Sequence, residues 1–356
     1  MALLILQQRA CKAGAQHALL QTLQTSAFRK INTIVILGEL GWLSEQFDKL
    51  NIEYRLHSFP NSRSIGAKLI LNAQFSQKVL RSLGSFSPDI VMANDHCECL
   101  LTLRIAKIAH AKTAAFLRSS GLTQSAFIKY GCPKFDLLLL IGKPLFLKTK
   151  TWHPGGNIHV AYDGIEETEF SPVRKKPPNS PTHWFIVGGA GASKGWQDFA
   201  EAIRIAEKDP SFPTLTCDFT SVPPNSPQND IKLNLPRRAI FNFLGRVPSI
   251  VESAKSYHLC VHPSQKETFG LTPVELIASG QPLLASKTGV LDLIQANPAM
   301  KFEPANPASQ AQCYLNIFKQ WDTLDLSLDK SQHLLKQQFL MSPQGIYCSQ
   351  LLANIA

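Results

Sequence analysis

Long apolar runs are absent from this sequence. No window of the 356 residues approaches the roughly 18 uncharged apolar positions that a membrane-spanning helix needs. The nearest, residues 135–147, is too short and carries Asp136, Lys143 and Pro144. The opening MALLILQQRACKAG has an apolar stretch only at 2–6 and no basic segment before it, so export by a signal peptide is not expected. Cysteines at metal or redox spacing are missing too: none of the eight forms a CxxC, and only Cys97 and Cys99 stand close together. That removes the usual basis for a zinc site or a disulfide framework and leaves reduced thiols in a cytosol as the expectation. Charge is sparse, at 17% of residues against 44% hydrophobic, a globular balance that argues against extensive disorder.

The charge that is present is lopsided. Of the net +10, all lies in the first half: 19 Lys and Arg face 9 Asp and Glu up to Ile165, and 17 face 17 thereafter. A basic first half suits an anionic partner, such as a membrane surface or a phosphorylated glycan, or serves only as a solvated face. Nucleic acid is not expected, because no aromatic-plus-basic stacking pattern accompanies the charge.

The length allows two domains, and the hydrophobic pattern starts twice. In the first half, residues 3–6, 32–37, 90–93 and 113–117 read as buried strands, and 15–23 and 100–110 as helices. Residues 174–182 (RKKPPNSPT) read as a surface connection. After them come strands at 183–187, 215–219, 241–244, 259–262 and 282–285, with a helix at 196–207. Strands alternating with helices imply βαβ units and parallel sheets. The expected domains are 1–165 and 166–333, with a helical stretch over 334–352, broken near Pro343, that packs back on the first domain.

Two segments carry chemistry. ETFGLTPVE (267–275) places Glu267 and Glu275 on either side of Phe269, Gly270 and Leu271. Backbone amides there, at a helix start, would bind phosphate, and Gly270 lets a ligand approach closely. Thr272 as N-cap, Pro273 as first helical residue and Glu275 at the third position would form a capping box, which by itself explains Glu275. Glu267 has no such structural reason. The second segment, VGGAGASKG (187–195), follows a strand and opens a helix. It fails as a dinucleotide motif because Lys194 occupies the third glycine position, although Asp218 near the end of a later strand fits that reading. It fails as a P-loop because Lys194 precedes Gly195. A lysine beside a glycine turn does suit a diphosphate.

Taken in order, these pieces resemble the GT-B glycosyltransferases, specifically the large retaining family 4. Tyr162-Asp163-Gly164-Ile165 with Phe170-Ser171-Pro172 is similar to that family's entry into its second domain, with Asp163 in place of the usual Asn. Phe243-Leu244-Gly245-Arg246-Val247 resembles its FLGRV segment. Val261-His262-Pro263-Ser264 with 267–275 is similar to its Pro-Ser…Glu-x7-Glu signature, followed by Gly280-Gln281-Pro282 and Thr288-Gly289-Val290.

The resemblance implies an α/β GT-B fold, two Rossmann-like parallel-sheet domains facing a central cleft. It also implies retaining, hexosyl-type transfer from a nucleotide-diphosphate sugar to a glycan or lipid-linked acceptor, as in cell-surface polysaccharide or lipopolysaccharide synthesis. Glu267 would contact the sugar hydroxyls and Glu275 the ribose. Lys194 and the amides at 269–271 would neutralise the leaving diphosphate without metal or cofactor. Gly245 and Arg246 would border the nucleobase, and Gly14 would lie near the diphosphate. Asn94, Asp95, His96 and Arg118 are the acceptor-side candidates. A cytoplasmic location follows, peripheral on the inner membrane face.

Three positions depart from the family pattern. Gly189 stands where an arginine precedes the lysine, leaving Arg118 or Arg246 as the substitute cation. Ala13-Gly14 replaces a double glycine, and Arg118-Ser119-Ser120-Gly121 replaces a histidine. The missing arginine keeps open an alternative, a catalytically degenerate GT-B protein that binds glycan or nucleotide.

Overall fold

The computed structural model describes residues 1–60, 65–119, 121–176, 181–189, 191–221 and 235–356. The chain divides into two units, one of Met1–Gly164 with Met341–Ala356 and one of Ile165–Leu340. In both, the central strands are short and buried on both faces, as the interior of a parallel sheet requires, while the edge strands Tyr54–Leu56 and Ala239–Phe243 are partly exposed.

The first unit has seven strands: β1 (Ala2–Gln7), β2 (Asn32–Leu37), β3 (Tyr54–Leu56), β4 (Ile90–Ala93), β5 (Lys112–Leu117), β6 (Leu137–Ile141) and β7 (Ile158–Ala161). Their order is β3-β2-β1-β4-β5-β6-β7, parallel throughout. Chain order reverses between β1 and β4, with Leu4 beside both Ile34 and Val91. That is the doubly wound arrangement, whose ligands bind at the strand carboxyl ends around the reversal.

The apolar stretch at 135–147 is no membrane segment. Leu137–Ile141 is a wholly buried strand, which Gly142 ends at φ 84°, and the helix Lys143–Trp152 follows with Pro144 in its first turn. Among the described residues no helix is long and apolar enough to cross a membrane.

The second unit has six strands: β8 (His183–Ile186), β9 (Leu215–Phe219), β10 (Ala239–Phe243), β11 (Leu259–His262), β12 (Leu283–Ser286) and β13 (Lys301–Phe302). Their order, β10-β9-β8-β11-β12-β13, repeats the same winding, with the reversal between β8 and β11. Its core is aromatic. Trp184 packs edge-on to Tyr314 at 5.0 Å, and Trp196 stacks on Phe219 at 4.7 Å. Of the connection at 174–182, residues 177–180 lie outside the described residues, as do Ala190 of the glycine loop and Ser120.

The end of the chain differs from the single broken helix expected over 334–352. Leu328–Phe339 is one helix in the second unit, Leu340 is extended, and Met341–Ala353 is another helix in the first. Pro343 does not break this helix. It is the third residue, where an N–H would have no intrahelical partner in any case. The last helix lies against β6, β7 and the helix Gly14–Gln24. Gly345 makes that approach close, since a Cβ there would sit 2.6 Å from Thr25 Oγ1.

Candidate functional site

The second unit's reversal point gathers the charged residues. Three peptide contacts join the turn after β8 to the turn after β11. The Gln265 N–H donates to the Ser193 carbonyl at 2.8 Å, and Ser264 Oγ donates to it at 3.3 Å. Gly195 turns at φ 76°, so close to Pro263 that a Cβ would meet its carbonyl oxygen at 1.8 Å. Only glycine fits there. The joined turns set Lys194 opposite Glu267, with Nζ donating to Oε1 at 2.6 Å. The stem of Glu267 passes two more glycines: a Cβ on Gly289 would lie 3.2 Å from its Cβ, and one on Gly270 3.8 Å.

A third residue completes the cluster. His262, the last residue of β11, is buried, and its Nδ1 donates to the Val187 carbonyl at 3.2 Å. Its Nε2 lies 3.2 Å from Glu267 Oε1, outside hydrogen-bond geometry. Burial would raise the Glu267 carboxyl, but His262 and Lys194 outweigh it and hold the group down to about 2. Both partners take Oε1. Among the described residues, no hydrogen bond reaches Oε2.

The turn at 269–271 is built differently from the expected capping box. The helix is Leu271–Ala278, with Gly270 as its N-cap at φ 94°. Thr272 and Pro273 are its second and third residues, and Glu275 is its fifth, beyond the first turn. The left-handed glycine swings the chain into the helix two residues early, and Pro273 fits where no N–H is needed. Glu275 is therefore not at the third position that a capping box needs. Among the described residues, the N–H groups of Gly270 and Leu271 donate to no other group. The Phe269 ring is buried against Phe339 at 5.6 Å. Gly245 and Arg246 follow β10, two strands from β8, with Gly245 at φ 73° and Arg246 exposed. Asp218 is no ribose ligand: it is buried and accepts from Tyr257 Oη at 2.9 Å and Asn242 Nδ2 at 2.8 Å.

In the first unit, the acceptor-side candidates meet at the carboxyl ends of β4 and β5. Asn94 Nδ2 donates to Gln7 Oε1 at 2.6 Å, and Arg118 Nε donates to Asn94 Oδ1 at 3.2 Å. Asp95 Oδ1 accepts from the His96 N–H at 2.8 Å and from the Arg118 N–H at 3.3 Å. The Asp95 carboxylate beside His96 raises that imidazole to about 10. Gly14 opens a helix at the same end, and Asn94 Nδ2 also reaches the Ala15 carbonyl at 3.3 Å.

Arg118 is not a free cation. Its guanidinium pairs with Asp163, with both side chains buried, and lies over the Phe116 ring at 3.6 Å. Burial pushes Asp163 up while Arg118 opposes. The two departures from the family pattern thus contact each other, and Arg118 does not supply the missing diphosphate charge.

Sequence reasoning missed His262, Asn94's tie to Gln7, and Glu98. Burial lifts Glu98 to about 7 although it accepts from the Gln8 and Asp95 N–H groups. Among the described residues, no group of three His, Cys, Asp or Glu is placed to hold a metal.

Two doubly wound parallel units define a GT-B protein. HepE from Anabaena, in complex with UDP and glucose, matches with a TM-score of 0.77 over 99% of this chain and 100% of that one, at 17% identity. A glycosyltransferase from Rickettsia africae ESF-5 gives 0.78 over 99% and 98%, at 16% identity. The lipopolysaccharide outer core galactosyltransferase WaaB, in its apo form, gives 0.70 over 99% and 99%, at 17% identity. No curated protein matches the sequence. Residues 181–320 match the family described as Glycosyl transferases group 1. The fold is therefore that of the GT-B glycosyltransferases, and the stretch 181–320 of the second unit is similar to the group 1 family.

Two outcomes follow for the charged pairs. Arg118→Met strands a buried carboxylate and lowers stability by about 3–5 kcal/mol, while Arg118→Met with Asp163→Leu restores most of it, both read by urea denaturation. Equal loss in the single and double variants contradicts this. Glu267 is held at about 2 against an ordinary 4.5, so its pairing contributes fully above pH 4.5 and is lost as pH falls toward 2. The stability deficit of Glu267→Gln therefore shrinks across that window in a pH series of melts.

Proposed function

We propose that this chain is a metal-independent, retaining glycosyltransferase that moves a hexosyl group from a nucleotide-diphosphate donor to a glycan or lipid-linked acceptor. The observation that carries this reading is Glu267, held through Oε1 alone, beside a lysine and a glycine-capped helix start. Oε2 is left to accept a sugar hydroxyl. The Gly270 and Leu271 amides face phosphate oxygens, and Lys194 neutralises the charge that develops as the nucleotide leaves. Glu275 and the Gly245-Arg246 turn take the ribose and the base. That HepE is seen with UDP and glucose supports a donor of this class.

Departure of the nucleotide and attack by the acceptor take place on the same face of the sugar. The leaving diphosphate oxygen accepts the acceptor's proton, so no protein base is required. Asn94, Asp95 and His96 supply acceptor contacts, and Arg118 acts through Asn94. We place the reaction in cell-surface polysaccharide or lipopolysaccharide synthesis, the setting in WaaB's name, at the inner face of the cytoplasmic membrane. The basic first half provides the attraction.

Nucleotide release from a panel of sugar nucleotides tests the reading. Turnover is expected to fall about 10²–10³-fold in Lys194→Ala. If wild type and Glu267→Ala release nucleotide equally poorly, and calorimetry shows no donor binding, the reading is wrong. Donor binding without wild-type turnover instead favours the degenerate binding protein, the reading that Gly189 in place of arginine supports. Liposome flotation tests the membrane: binding should rise with anionic lipid and fall with salt, and indifference to both sinks that proposal.

A further inference from the structure

Glu267 Oε1 has two partners of different character. Lys194 is partly exposed on a turn, and its ammonium has three N–H groups to share. His262 is buried at the end of a strand and pinned from behind by the Val187 carbonyl. A diphosphate arriving at the Gly270–Leu271 amides brings negative charge that draws the lysine toward it. Glu267, 15% exposed, would then lose its closest counter-charge. Among the described residues, only His262 remains in contact with its carboxylate.

We propose that His262 is a positioning residue for the donor sugar. Fixed from behind by Val187, it holds Glu267 Oε1 in place while Lys194 turns to the diphosphate, so that Oε2 stays aimed at the sugar hydroxyl. With Nδ1–H committed to Val187, Nε2 is the ring atom left to face Glu267 Oε1, at 3.2 Å. The off-line geometry fits a contact that tightens when the lysine moves. The proposal rests on the donor-site reading above and adds a division of labour to it: Lys194 serves the leaving group, His262 serves the sugar.

Two substitutions separate the nitrogens. His262→Asn keeps a donor near Nδ1 for Val187 and loses the reach to Glu267. His262→Gln places its amide near Nε2 and loses Val187. Calorimetry would compare each with wild type for UDP and for a panel of UDP-sugars, with kcat and KM from nucleotide release. In His262→Asn the affinity for UDP stays unchanged, while the added affinity from the sugar and kcat fall about tenfold or more, the scale of a hydrogen bond to a charged group. His262→Gln recovers most of that loss. A merely structural histidine gives the opposite order, because the Val187 bond is the one within good geometry, and that result overturns the proposal. Equal sugar-dependent affinity in wild type and His262→Asn also overturns it and leaves the donor reading intact. If wild type binds neither UDP nor any sugar nucleotide, the donor reading falls and takes this proposal with it.

Discussion

The abutment of Gly195 on the Pro263 carbonyl is the contact on which the second unit's site depends. Two turns at the ends of adjacent parallel strands would ordinarily splay, since each leads into its own helix. Here a residue without a Cβ, in a left-handed conformation, lets one backbone press on the other, and the Ser193 carbonyl then takes two donors from the opposite turn. Lys194 is the residue before that glycine and Glu267 follows four positions after Pro263. Main-chain geometry thus brings the two residues opposite each other, within reach of their 2.6 Å pairing.

The two units use the same chemistry to opposite ends. In the first, Arg118 and Asp163 close on each other with side-chain exposures of 3% and 5%. With Asn94 and Gln7 they form a polar chain across the carboxyl ends of β1, β4, β5 and β7. Each of the four has a partner within the chain, which favours one fixed arrangement. In the second, Lys194 and Glu267 keep exposures of 31% and 15%, and one carboxylate oxygen is left over. Desolvation is strong enough there to make the pair matter and incomplete enough to let a ligand compete for it.

How much of this was legible in the sequence depended on how far apart the partners lie. The strands at 32–37, 90–93, 215–219 and 259–262 coincide with β2, β4, β9 and β11, because a doubly shielded parallel strand writes itself as an aliphatic run. β6 was hidden in such a run, since the glycine and proline that end it resemble a merely interrupted hydrophobic stretch. Glu267 and the 269–271 turn could be singled out because they are contiguous in sequence. The capping box at Thr272 was a misreading of local pattern: the backbone angle of Gly270, which no spacing rule reports, moved the helix start. Arg118 and Asp163 read as two unrelated departures, 45 residues apart, until the sheet brought β5 and β7 to one edge. His262 gave no sign of its contact with the Val187 carbonyl, which lies 75 positions earlier.

The chain's last helix has a consequence for how the protein is made. The second unit is continuous in sequence, so everything it needs is present once Leu340 has been synthesised. The first unit is not: β6 and β7 wait for the helix Met341–Ala353, which leaves the ribosome nearly two hundred residues after the strands it covers. Until then, part of the first unit's apolar surface stays open to solvent and to chaperones. The first unit is therefore completed by a long-range closure across the whole of the second.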